Sequence, residues 1–363
     1  MGLKPRPGIL KIPSAYVQGQ SELDGVRDPV KLSANESEFG PSPKAIEAYL
    51  AESARLHRYP DGSQAALREA LGEACGIDAA QIVCGNGSDE LILLLTRAYV
   101  GPGDEVLISE CGFEMCRIHA LAQGAEVVVA PEKDYVVDVD AILARVSDKT
   151  RLIPIANPNN PTGTYLPGSE LQRLHASLPD HILLLIDSAY AEYVTAEDYD
   201  SGIGLVGSAD NVVMTRTFSK IYGLSGLRIG WAYCPGDVID MLQRIRTPFN
   251  TNRAALAAAL AALQDEDYTA NVRAHNAAWI TRMSEELNSI GIQVVPSVAN
   301  FILMIFPDPE RSADAAAKYL QSQDIIPRPV NAGGPANCLR ITIGLDEHNK
   351  AVLKALSEFM KGL

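Results

Sequence analysis

The sequence predicts an α/β protein in which a large domain with a mostly parallel central sheet is followed by a smaller α/β domain. Three observations carry that expectation. Between about residues 80 and 235, short β-like runs alternate with helical stretches, the order that βαβ units produce. Several of those runs are continuously apolar rather than alternating, as strands covered on both faces require. The chain's 363 residues exceed what one small core organises, yet they suit a domain of roughly 200–250 residues with a lesser companion.

In chain order, the first forty residues are rich in Pro and Gly and lack periodicity, which predicts an arm lying against another part of the protein or another subunit. Strands are expected at 81–84, 105–108, 126–129, 151–155, 183–186, 212–215 and 230–233. A long helical stretch is expected from about 254 to 288, and its Ala-rich start at 254–263 reads as a packed helix because alanine has the highest helix propensity. Strands at 293–295 and 300–305, a helix at 313–323, a strand at 339–343 and an amphipathic helix at 349–359 complete the chain. The expected division is 1–40 as arm and part of the small domain, 41–250 as the large domain, and 251–363 as the small one.

Composition narrows the function classes. Hydrophobic residues make up 47% and charged residues 21%, which argues against disorder. Lys plus Arg number 31 against 45 Asp plus Glu, a net charge of -14 that argues against a general nucleic-acid or anionic-membrane binder. Small anionic substrates stay possible, since a site needs only one or two placed cations. The six cysteines show no C-x-x-C pair, and His57, His119, His175, His181, His275 and His348 are scattered, so no metal site is expected. Glu36 and Glu38 read as loop charges. No run reaches the length of a signal peptide or a membrane span, so cytoplasmic, reduced thiols are the expectation.

Ligands of open parallel sheets sit beyond the carboxyl ends of the strands, which directs attention to four segments. The first, G-N-G-S-D-E at 85–90, comes after a strand and opens a helix. Gly87, Ser88 and Asp89 there suit a phosphate cradle, the plainer reading being a capped turn. It is not a dinucleotide fingerprint, because Glu90 stands where the third glycine would be. The second runs from the 151–156 strand into N-P-N-N-P-T-G at 157–163, where the Asn157 amide is placed to face a ligand or simply to fix the turn.

The third is the aliphatic run 182–186 ending at Asp187, with Tyr190 three residues on. A carboxylate behind five buried residues is costly without a positive partner, so Asp187 either caps a loop or faces a cationic ring nitrogen. The fourth, at 215–231, sets Lys220 directly after a strand, with Thr217 and Ser219 before it and Arg228 after it. Small and apolar neighbours suit an amine whose pKa must fall to act as nucleophile and base. Together the four supply an amine for a Schiff base, an acid for a ring nitrogen, and hydroxyls with an Arg for a phosphate. That is the equipment for pyridoxal 5'-phosphate, the electron sink for carbanions next to an amine.

The T-F-S-K-x-Y-G-L-x-G-L-R-x-G string at 217–230 and N-P-N-N-P-T-G at 157–163 resemble those of fold-type I aminotransferases, and within them the histidinol-phosphate aminotransferase family. K-L-S-A-N-E at 31–36, G-P-S-P at 40–43, R-Y-P-D-G at 58–62 and L-R-I-T-I-G at 339–344 extend the resemblance over nearly the whole chain. It implies that Lys220 is the Schiff-base lysine and proton shuttle, that Asp187 pairs with the pyridine nitrogen, and that Tyr190 and Asn157 hydrogen-bond the phenolic oxygen. Gly87, Ser88, Asp89, Thr217, Ser219 and Arg228 would hold the 5'-phosphate, and Phe113 would stack on the ring. Tyr59 would reach the phosphate of a neighbouring subunit, which implies a homodimer with shared sites. Tyr16, Asn35, Asn157 and Arg340 would contact substrate, Arg340 as a carboxylate clamp.

The implied reaction is ping-pong, from histidinol phosphate and 2-oxoglutarate to imidazole-acetol phosphate and glutamate. Transamination of an aromatic or other specialised amino acid, or a threonine-phosphate decarboxylase-like reaction, stands as the alternative. The chain departs from the family pattern at 12–19, at Cys116 and at 333–336, positions expected to touch the substrate wall.

Overall fold

The computed structural model describes residues 3–13, 19–330 and 336–362. Seven strands form its main sheet: β1 (Ile82–Gly85), β2 (Glu105–Ser109), β3 (Glu126–Ala130), β4 (Thr150–Ala156), β5 (Leu183–Asp187), β6 (Val212–Thr217) and β7 (Gly230–Tyr233). All seven expected strands are present, with ends moved by one or two residues. Their order is β1-β7-β6-β5-β4-β2-β3, and every pairing is parallel except that β7 runs antiparallel to both β1 and β6.

The apolar runs are explained by what covers them. On β5, Leu184 and Ile186 enter one core while Leu183 and Leu185 enter another on the opposite face. Helices Ala65–Cys75, Gly168–Ala176 and Arg253–Leu263 cover the first face with Leu67, Leu71, Leu171, Leu174 and a row of alanines. Helices Ser88–Tyr99, Glu114–Gln123 and Gly236–Ile245 cover the second with Leu91, Leu95, Ala120 and Leu242. With no face left for water, alternation has no physical basis.

A second, antiparallel sheet holds β8 (Gln293–Val295), β9 (Phe301–Ile305), β10 (Arg328–Pro329) and β11 (Cys338–Thr342) in the order β8-β9-β11-β10. Trp279, Met283, Ile302, Met304, Ile341 and Val352 form its core with helices Glu266–Ser289, Ala313–Ser322 and Asp346–Lys361.

The single helical stretch expected over 254–288 is two helices, broken at Gln264 and Asp265. The Asp265 carboxylate turns to Lys44, 2.9 Å away, and the two helices serve different cores. Ala255, Ala258, Ala259 and Ala262 belong with the seven-stranded sheet, where their small side chains let this helix lie against Pro43–Ala51. We propose that the division between the two cores falls at that break, where the expected boundary was 250/251.

The arm's first turn, Pro7–Leu10, packs on the end of helix Glu114–Gln123, so closely that a side chain at Gly8 would overlap the Leu121 carbonyl. Further on, Val30–Lys31 pairs in parallel with Ile325–Ile326, and Thr342 N donates to Leu32 O at 2.9 Å. The segment leading into Asn35 is thereby fixed to the second sheet. Among the described residues, no helix is long and apolar enough to cross a membrane.

Candidate active site

The ends of β4, β5 and β6, the start of helix Ser88–Tyr99 and the wall of the second sheet enclose a cavity of about 550 Å³. Ser88, Asp89, Phe113, Asp187, Tyr190, Thr217, Ser219, Lys220, Arg228, Asn35 and Arg340 all line it, so the structure gathers most of the residues read from the sequence.

Asp187 ends β5 and is buried, with Oδ1 accepting from Thr215 Oγ1 at 2.8 Å. Burial pushes its carboxyl up to about 6; the Thr215 hydrogen bond and the Lys220 charge oppose that, and the Asp89 charge adds to it. A carboxylate in that position is stabilised by any cation delivered from the cavity side, as a protonated pyridine nitrogen would be. Lys220 lies on the loop after β6, its Nζ 3.4 Å from Ala34 O and 5.5 Å from the Tyr190 ring centre. Burial lowers its amine to about 8, helped by Arg340 and Arg228 and opposed by Glu36 and Asp187. The amine is therefore partly neutral, and nucleophilic, near physiological pH.

The opposite end is built for an anion. Arg228 adopts a left-handed φ of 54°, and its Nη1 donates to Ser219 Oγ at 3.2 Å and Ser225 O at 3.1 Å. Thr217 Oγ1 donates to Ser219 Oγ at 3.0 Å. Helix Ser88–Tyr99 opens at the same place, and its N-cap Gly87 offers no side chain to the first-turn N–H groups. Gly87 has φ 86°, and a Cβ there would overlap the Arg228 guanidinium; a Cβ on Gly230 would press on Ser88 N. Two glycines thus keep open a cradle of amides, hydroxyls and one guanidinium, which fits the 5'-phosphate of pyridoxal phosphate. Gly87→Ala is expected to weaken cofactor binding at least tenfold, since its Cβ displaces the Arg228 guanidinium and a backbone open essentially only to glycine (φ 86°, ψ 164°) costs about 1–3 kcal/mol besides. Titration of apo-protein followed by cofactor absorbance checks this, with circular dichroism confirming an unchanged fold.

Asn35 is held against Tyr190. Its Nδ2 donates to Tyr190 Oη at 2.9 Å, its N donates to Thr342 Oγ1 at 3.0 Å, and its O accepts from Asn300 Nδ2 at 3.1 Å. Arg340, on β11, donates from Nη1 to Asn160 Oδ1 at 2.5 Å and from Nη2 to Ser33 O at 2.8 Å, with its guanidinium 5.2 Å from the Phe301 ring centre. Arg328 on β10 stands opposite Arg340 in register and lines the same wall, as do Lys31 and Glu36.

Other residues read from the sequence lie off the cavity. Asn157 does not face the cavity: its amide is fully buried, donating to Leu166 O at 3.1 Å and Asp200 O at 3.3 Å and accepting from Leu166 N at 2.8 Å. Asn160, three residues on, lines the cavity instead. Cys116 packs into the core behind helix Glu114–Gln123, away from the substrate wall. Tyr59 is off the cavity, 77% exposed, with its ring stacked on Phe249 at 4.5 Å. Tyr16 and residues 333–335 lie outside the described residues. The sequence reading missed Asn160, Lys31 and Arg328 and took Glu36 for a loop charge; the second Asn-Pro of the 157–163 string was the one available signal, for Asn160.

An amine held partly neutral, between a carboxylate that needs a cation and a cradle that needs an anion, defines a pyridoxal-phosphate enzyme of fold type I. Comparison with known proteins narrows the class. The profile of the family described as aminotransferase class I and II matches residues 27–356, and the chain belongs to that family. It is 53% identical over 357 residues to the histidinol-phosphate aminotransferase of Paramagnetospirillum magneticum, covering 98% of each chain. It is 51% identical to that of Rhodospirillum centenum, covering 99% of each. Among solved structures it is similar to the histidinol-phosphate aminotransferase of Sinorhizobium meliloti in complex with pyridoxal-5'-phosphate, with a TM-score of 0.86, 30% identity and 92% of each chain covered.

Proposed function

We propose that this chain transfers the amino group of histidinol phosphate to 2-oxoglutarate, with pyridoxal 5'-phosphate as cofactor. The observation that carries the reading is the division of charge in the cavity. Arg228, Ser219 and Thr217 make one anion site; Arg340 and Arg328 make a second at the opposite wall; Lys220 stands among them. A donor bearing a phosphate and an acceptor bearing two carboxylates both present an anion to the second wall. The names of the relatives at 53% and 51% identity support the same substrate.

When bound, the cofactor stabilises negative charge on the substrate carbon next to the amine. The chain's residues do the rest. Asp187 keeps a proton on the ring nitrogen, and Tyr190, oriented by Asn35, hydrogen-bonds the phenolic oxygen. The Lys220 amine takes the proton from the donor's amine-bearing carbon and carries it across the face of the site. The Arg228 cradle holds the phosphate while Lys220 moves, and Phe113 covers the ring. Arg340, fixed by Asn160 and Ser33, binds the substrate anion with Arg328 beside it.

The exposure of Tyr59 and its stacking on Phe249 support a homodimer in which this tyrosine completes the partner's phosphate site. We place the enzyme in the cytoplasm on its reduced thiols.

The test is a half-reaction followed by absorbance, with histidinol phosphate, phenylalanine, tyrosine and threonine phosphate offered separately. Histidinol phosphate is expected to convert the cofactor to its amine form fastest; an aromatic donor ahead of it, or carbon dioxide release from threonine phosphate, overturns the reading. Arg328→Gln is expected to raise KM for histidinol phosphate about ten- to hundredfold with kcat little changed, as loss of a charge-assisted contact does, which steady-state kinetics checks.

A further inference from the structure

The proposed mechanism leaves one ion pair in the cavity without a chemical task. Lys31 Nζ lies 2.7 Å from Glu36 Oε2, with side chains 31% and 34% exposed, and both line the cavity. The pair is not needed to hold the fold. An ion pair with each side chain about a third exposed contributes little to stability. The backbone on either side is secured independently, by the pairing of Val30–Lys31 with Ile325–Ile326 and by Asn300 Nδ2, which donates to Asn35 O at 3.1 Å and Glu36 O at 3.2 Å. Two side chains are therefore able to move while their main chains stay fixed.

The partners face different neighbours. Lys31 stands opposite Ile326, two residues before Arg328, and so extends the cationic wall of Arg328 and Arg340. Glu36 is next to Asn35, which holds Tyr190, and its charge is felt at the Lys220 amine. Glu36 is thus the carboxylate of the substrate half, placed between the cationic wall and the reacting centre.

Resting on the proposed function, a ping-pong cycle must admit two unlike molecules to one cavity in turn. A dicarboxylate acceptor offers hydrogen-bond acceptors; the imidazole of the donor offers N–H. An ammonium only donates and a carboxylate only accepts, so each member of the pair matches the group that distinguishes one substrate from the other. We propose that Lys31 and Glu36 form an exchangeable pair: the second carboxylate of the acceptor draws Lys31 away from Glu36, and the ring N–H of the donor draws Glu36 away from Lys31. With about a third of each side chain exposed, the displaced partner turns to water, so neither exchange strands a buried charge.

The experiment measures the two half-reactions separately in Lys31→Ala, Lys31→Arg and Glu36→Gln holoenzymes, together with calorimetric binding of glutaric acid, an unreactive dicarboxylate. Lys31→Ala is expected to raise the half-saturation constant for 2-oxoglutarate and the Kd for glutaric acid about tenfold or more. Its constant for histidinol phosphate is expected to move less than threefold, and Lys31→Arg to restore the acceptor side. Glu36→Gln is expected to raise the constant for histidinol phosphate about tenfold while leaving glutaric acid unchanged or tighter. Equal shifts for both substrates in either variant, or no shift in both, overturn the exchange. If the wild-type enzyme converts with histidinol phosphate and the variants lack this crossed pattern, the exchange alone fails. If the wild-type enzyme does not respond to histidinol phosphate, the substrate reading fails and the donor half of the exchange with it, while the glutaric acid measurements still decide Lys31.

Discussion

Lys220→Ala is expected to lose at least about four orders of magnitude in half-reaction rate while melting no lower than the wild-type apo-protein near pH 7. A positioned proton-transfer group contributes about 10²–10⁴ in rate, and the same nitrogen also serves as nucleophile. The stability half comes from burial. The amine titrates at about 8 in the folded protein against an ordinary 10.5, so folding near pH 7 requires burying a charge that water would hold better. That penalty, about 3 kcal/mol, is fully present below pH 8 and disappears as pH rises past the unfolded value. Alanine removes it and leaves only extra room in an already open cavity. Single-turnover kinetics and apo-protein melts at pH 7 and pH 10 check both halves, the expected advantage of the variant shrinking at pH 10.

Asp187→Asn is expected to lower the half-reaction rate by about 10²–10³, the usual cost of removing one preorganised electrostatic group, and to weaken cofactor binding. Apo-protein stability is expected to move the other way. The carboxyl titrates at about 6 when folded against an ordinary 3.8, so the folded state holds its proton more tightly than the unfolded chain does. No penalty exists below the unfolded value; it grows as pH rises through this window and levels off above about 6, near 3 kcal/mol. The apo-variant therefore melts above wild type at pH 8 and level with it near pH 3.5, and bound cofactor reverses the order at pH 8. Melting curves with and without cofactor across that range give the answer. Equal melting of the two apo-proteins at every pH would show that Asp187 is not strained by burial.

Both predictions concern residues that were legible in the sequence, and for the same reason. Strands buried on both faces write themselves as unbroken apolar runs, and residues just past their carboxyl ends are the ones a ligand meets. Asp187, Thr217, Ser219 and Lys220 all sit at such ends. What escaped was whatever depends on the path of the chain through space. Asn157 and Asn160 each precede a proline, and only the return of Leu166 to take the Asn157 amide decides which one turns inward. The break at Gln264 and Asp265 escaped because the alanine run and the 266–289 segment are both good helix formers, and the interruption comes from two cores pulling on one stretch. Lys31, Glu36 and Arg328 escaped because charged residues on short strands and loops carry no local pattern. They meet only because Val30–Lys31 pairs with Ile325–Ile326.

That same pairing sets an order of events during synthesis. The chain emerges N-terminus first, and all seven strands of the main sheet, with Lys220, Asp187 and the Arg228 cradle, are complete by residue 233. The segment that carries Lys31 and Asn35 must still wait, because Ile325, Ile326 and Thr342, its partners, emerge about 300 residues after it. A nascent or truncated chain ending before residue 325 thus has what the cofactor phosphate needs but lacks Arg328, Arg340 and the fixed Asn35 beneath Tyr190. The substrate wall is thus closed by joining segments nearly 300 residues apart, a contact that local folding of either segment cannot make and whose closure carries a loop-entropy cost of its own.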